Sequence, residues 1–87
     1  MKNKLFKLIV KIGKQPTKDD IFEFETDDPI KCLNGIKIDK LFEPCEFTLE
    51  LGNQKAVRIV NALKARQIFR NELRAYFFLK EMVWMMK

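Results

Sequence analysis

The side chains that carry most enzymatic chemistry are missing from this chain. Its 87 residues include no histidine and no serine, which removes the Ser/His and Cys/His nucleophile pairs outright. Two cysteines, Cys32 and Cys45, remain. A thiol attacks as its thiolate, and neither cysteine has a Cys-x-x-Cys partner or a local imidazole to lower its pKa, so both read as structural. Two thiols without imidazoles also fall short of a tetrahedral zinc site. The carboxylate pairs Asp19/Asp20 and Asp27/Asp28 have the oxygen chemistry of a hard-cation site, but both lie in turn-forming sequence, where aspartate caps and bends the backbone. With no glycine-rich phosphate loop either, no catalytic residue, metal or cofactor is expected. The chain reads as a binding protein and not an enzyme.

Two features in the last third offer binding chemistry. Charge is segregated: residues 1–18 hold six lysines and no acid, residues 19–52 hold three lysines and ten acids, and residues 53–87 hold eight bases and two acids, for a net +5. All four arginines, Arg58, Arg66, Arg70 and Arg74, fall in that last segment. On one helix the last three repeat every four residues, about 6 Å apart along the axis. Planar guanidinium groups in a row suit phosphates or carboxylates on a facing surface. A nucleic-acid backbone, DNA or RNA, is the natural ligand of such a ridge, and Lys7 and Lys11 widen the basic patch if the fold brings them near. The competing reading is a solvated helix face, or one paired with Glu23, Glu25, Glu46 and Glu50. Aromatic side chains do not interleave with the basic ones as on a ribonucleoprotein sheet, and helix-turn-helix spacing is lacking, so backbone binding is expected in preference to base reading.

The second feature is the apolar stretch at residues 75–86, Ala-Tyr-Phe-Phe-Leu-Lys-Glu-Met-Val-Trp-Met-Met. Greasy nearly all round, it must be covered by its own domain, a second copy or a larger partner. Met adapts to a partner surface and Trp anchors there, which makes Tyr76, Phe77, Trp84 and Met85 the candidate protein interface.

These residues depend on elements legible in the hydropathy pattern. Residues 4–12 alternate, with Phe6, Leu8, Val10 and Ile12 on one side and Lys7 and Lys11 on the other, which predicts a strand. Residues 21–26 and 45–51 alternate likewise. Asn34-Gly35 tolerates the positive φ of a type I′ turn and predicts a hairpin with short strands on either side. From Gln54 to Lys87 there is no glycine or proline, and with Asn53 as N-cap this stretch predicts a helix over residues 53–86. Its apolar stripe switches sides, from Ala56, Ile59, Val60 and Leu63 to Ile68, Phe69, Leu73, Tyr76 and Leu79. Either the helix breaks near residues 64–67 or its second half packs on a partner.

The expected architecture is a single α+β domain over residues 1–87: a small antiparallel sheet of four to five strands in residues 4–51, packed by a long or broken C-terminal helix in residues 53–86. No apolar run is long enough to span a membrane, residues 1–4 do not resemble a signal peptide, and a cytoplasmic protein is expected. Two functions remain open. One is a small basic protein whose arginine-lined helix docks on nucleic acid or another acidic surface. The alternative is a protein-interaction module, an inhibitor or accessory subunit of the kind phage or mobile-element genes encode. It would grip a larger protein, or a second copy as a homodimer, through the hydrophobic C-terminal helix.

Overall fold

Alternation of apolar and charged side chains builds the sheet. The computed structural model describes residues 5–36 and 44–86. Strand β1, Phe6–Ile12, is followed by a 3₁₀ turn at Lys18–Asp20 and by β2, Ile21–Thr26; β3 is Cys45–Leu51 and β4 is Gln54–Val60. The sheet is antiparallel throughout, in the order β2-β1-β3-β4. Leu8 lies opposite Phe24 on one side and Leu49 on the other, and Val10 lies opposite Phe22 and Phe47. Side chains of opposed residues share a face, so one face is a continuous apolar surface across β2, β1 and β3.

That face is covered by helices α2, Ala62–Arg70, and α3, Glu72–Met85, with a short helix α1, Pro29–Leu33, beside α3. Leu8, Val10, Phe47 and Leu49 from the sheet form one buried cluster with Leu33, Ile68, Ala75, Phe78 and Met82 from the helices. Phe47 is its centre, with the Phe78 ring 4.8 Å away edge-on and the Phe69 ring at 5.6 Å. The α+β class and the antiparallel sheet are therefore as the sequence implies, with the helical layer at the C-terminal end.

Three expectations are corrected. The sheet does not end at residue 51, because residues 54–60 are an edge strand and not the first turns of a helix. Gly52-Asn53 is a two-residue hairpin loop with Gly52 at φ 61° and no positive φ at Asn53. This pattern fits a type II′ turn, whose twist matches that of the strands it joins. Asn53 therefore turns the chain and caps nothing. In β4, Val57, Ile59 and Val60 are β-branched and prefer a pleated surface, but Ala56 and Val60 also fit a helical stripe.

The Asn34-Gly35 hairpin is likewise absent. Pro29, with its fixed φ, opens α1 in the first-turn position where its missing N–H costs nothing. Asn34 sits at φ −66° in the right-handed helical region, and the N–H groups of Gly35 and Ile36 close onto the carbonyls of Cys32 and Leu33, both at 3.2 Å. Burying Leu33 and Ile36 together in the core favours this tightened helix end over a turn. The second arm of the expected hairpin, beyond Ile36, lies outside the described residues, as does residue 4.

The C-terminal helical region is broken, as one reading of the stripe switch has it, but the break falls at Asn71 and not at residues 64–67. Among the described residues no helix is long and apolar enough to cross a membrane.

Candidate functional site

Two asparagines set the helical corner on which the arginines stand. Asn61 opens α2, its Oδ1 accepting the Lys64 N–H at 2.8 Å. Asn71 closes α2 by donating its own N–H to the Gln67 carbonyl at 3.0 Å, then opens α3. Its backbone is extended, at φ −128° and ψ 110°, and its Oδ1 accepts the N–H groups of Leu73 at 3.0 Å and Arg74 at 3.2 Å. A side-chain oxygen so placed satisfies donors that a helix start leaves open. The break therefore stabilises both helices while changing the direction of the chain.

Arg66 and Arg70 lie on α2, and Arg74 on the first turn of α3. They do not form the straight ridge of one helix that their spacing suggests. Across the corner they nevertheless line one open groove of about 370 Å³ together with Leu63, Gln67 and Asn71. Arg74 Nη1 donates to Gln67 Oε1 at 3.5 Å, bridging the two helices. Arg70 and Arg74 are exposed and Arg66 is half-buried. Among the described residues no carboxylate lines this groove. Gln67 and Asn71 escape a sequence search for charge, although each lies within one helical turn of an arginine.

Arg58 is placed elsewhere. It projects from β4 on the helix-covered face, opposite Phe47. Its guanidinium lies 4.9 Å from the Phe78 ring centroid, and Nη1 donates to Glu81 Oε2 at 3.2 Å. Lys7 and Lys11 are also separate, since their positions in β1 point to the face away from the helices. There Lys7 stands opposite Glu25 and Glu50, and Lys11 opposite Glu46; Lys7 Nζ lies 3.7 Å from Glu23 Oε1. The fold thus brings together Arg66, Arg70 and Arg74, and leaves Arg58, Lys7 and Lys11 beside acids of their own.

The apolar stretch divides by helical phase. Ala75, Phe78, Leu79 and Met82 are buried in the core, whereas Tyr76, Phe77, Trp84 and Met85 are exposed, Phe77 by 53% and Trp84 by 70%. Tyr76 and Phe77 meet edge-on at 5.4 Å, and Lys80 Nζ stands 5.6 Å from the Tyr76 ring centroid. Phe77, Lys80, Glu81, Trp84 and Met85 line a second groove of about 540 Å³, with Arg58 as its wall on the sheet side. Lys80 and Glu81 were hidden from a search for greasy residues, yet they lie at the middle of this face.

The remaining reactive groups have structural surroundings. Cys45 is buried in the sheet and burial pushes its thiol up to about 11, away from nucleophilic character. Thr17 donates its backbone N–H to Asp20 Oδ2 at 3.1 Å, and the Asp28 N–H donates to Thr26 Oγ1 at 2.9 Å. Both aspartate pairs thus belong to turns, and among the described residues no three acids or thiols converge as a metal-binding group would. Set against models of known protein families, curated proteins and solved structures, the chain matches none of them.

Proposed function

We propose that the protein is a non-enzymatic binder of nucleic-acid backbone, held by Arg66, Arg70 and Arg74 across the α2–α3 corner. The observation that carries this reading is the convergence of three guanidinium groups, from two helices, on one open groove that no carboxylate lines among the described residues. Guanidinium groups bind phosphate through paired hydrogen bonds, and several such contacts together bind a polyanion better than any small anion. Gln67 and Asn71 add uncharged polar groups to the groove walls. Gln67 Oε1 is engaged by Arg74 and Asn71 Oδ1 by the first N–H groups of α3, so the expected contacts are to phosphate, indifferent to sequence and sensitive to salt.

Fluorescence anisotropy with random-sequence DNA and RNA, repeated over a salt series, tests this. The slope of log affinity against log salt should fall by about one for each arginine replaced by alanine. Arg66→Ala, Arg70→Ala and Arg74→Ala combined should abolish binding at moderate salt, while Lys7→Ala leaves it unchanged. If neither nucleic acid binds at low salt, or the triple variant binds as the parent does, the reading fails and an acidic protein surface becomes the better ligand.

A further inference from the structure

The exposed face of α3 carries a pattern that the arginine groove does not explain. Phe77, Lys80, Glu81 and Trp84 follow one another at spacings of three, one and three residues, which places them on a single stripe of the helix. The stripe reads ring, base, acid, ring. All four residues line the 540 Å³ groove against Arg58, and all are exposed.

Such a stripe is complementary to itself when reversed. If a second α3 packs antiparallel on it, with the two-fold axis between Lys80 and Glu81, each Lys80 faces Glu81 of the second copy. Phe77 then faces Trp84 of the second copy, and Tyr76 faces its Met85. Moving the helices by one turn in either direction instead sets Lys80 against Phe77 or Met85, where its buried charge is left without a carboxylate. Centring on either charged residue sets two like charges together. Glu81 uses Oε2 for Arg58 of its own chain, and its other oxygen is the acceptor for the second copy's lysine. A two-fold contact of this kind is isologous, so the same patch serves both chains and the assembly closes as a dimer.

We infer that the Phe77–Lys80–Glu81–Trp84 face of α3 is a homodimer interface, formed by antiparallel pairing of α3 with α3 of a second copy about a two-fold axis between Lys80 and Glu81. The occupant is a second copy because the stripe supplies its own charge complement. This inference does not depend on nucleic-acid binding.

Sedimentation of the full chain over a concentration series is the experiment. The expected result is a species of twice the 10.4 kDa chain mass. Trp84→Glu should weaken it by at least roughly 30-fold, the cost of losing an interface hot spot. Lys80→Glu alone sets four acids around the axis, and Glu81→Lys alone sets four bases, so each variant should sediment as a monomer while its circular dichroism stays that of the parent. Mixed together, the two variants restore both charge pairs across the axis, and a mixed dimer should form. A parent that is monomeric at all concentrations overturns the inference and turns this face toward a different protein. So does a dimer indifferent to Trp84→Glu, or a mixture of the two charge variants that stays monomeric.

Discussion

Arg58 and Arg70 are the same side chain in different surroundings, and what each can do follows from its neighbours. Arg58 is held between the Phe78 ring and Glu81, so its charge is already answered within the chain. Arg70 opens onto a groove that, among the described residues, no acid lines. Both guanidinium groups are charged, but Arg58 is already engaged with Glu81 and Phe78, whereas Arg70 faces the open groove where a phosphate would sit. The same logic applies to Cys45, whose thiol is pushed by burial from 9.0 to about 11. Because the folded thiol holds its proton to higher pH than the unfolded one, its contribution to stability is complete below pH 9.0 and is lost as pH rises toward 11. The urea midpoint of the parent should therefore fall across that window by more than that of Cys45→Ala, in which this titration is gone. Equal falls would show that the thiol is not held in its neutral form by the fold. Alkylating reagents should also modify Cys45 only after denaturation.

At the scale of elements, Asn71 does the most for the candidate site, since one residue ends α2, starts α3 and turns Arg74 toward Arg66 and Arg70. Asn71→Ala should cost about 1 kcal/mol in urea unfolding, and Asn71→Asp, an equally good cap, should restore most of it. If alanine is tolerated without loss, the cap is not what holds the corner. The helix break itself was foreseeable from the stripe that changes sides after Leu63, but its position was not. Asparagine within a run of helix formers is ambiguous until one knows which N–H groups its side chain reaches. For the same reason Asn53, Asn61 and Asn71 look alike in sequence and take three roles: hairpin turn, N-cap, and shared cap of two helices.

At the scale of the whole molecule, the two candidate surfaces depend on one packing centre. Phe47 is fully buried, and its ring touches Phe69 of α2 and Phe78 of α3, so it fixes both helices on the sheet. Phe47→Ala should cost about 3 to 5 kcal/mol, a large part of the roughly 5 to 15 kcal/mol that holds a native fold together. A loss under about 1 kcal/mol would mean that the helices find other support. The elongated outline, 41 × 26 × 22 Å, is less than the ~50 Å that one unbroken helix over residues 53–86 would need. Breaking at Asn71 and giving residues 54–60 to the sheet bring the chain within it.

By itself the sequence determined the α+β class, the alternation of β1, β2 and β3, the lack of histidine and serine, and a C-terminal end both basic and greasy. Each of these is local, being a matter of composition or of which neighbours alternate. The tertiary structure alone decided that residues 54–60 join the sheet, because Gln-Lys-Ala-Val-Arg-Ile-Val satisfies a helical or a pleated period and the choice is made by its pairing with β3, from Cys45 opposite Val60 to Leu51 opposite Gln54. It alone decided, too, which cations act together. Lys7 and Lys11 point from one face of the sheet and the helices cover the other, so charges that a linear count adds up are held apart by the sheet itself. The three arginines that remain together do so because one asparagine turns the chain between them.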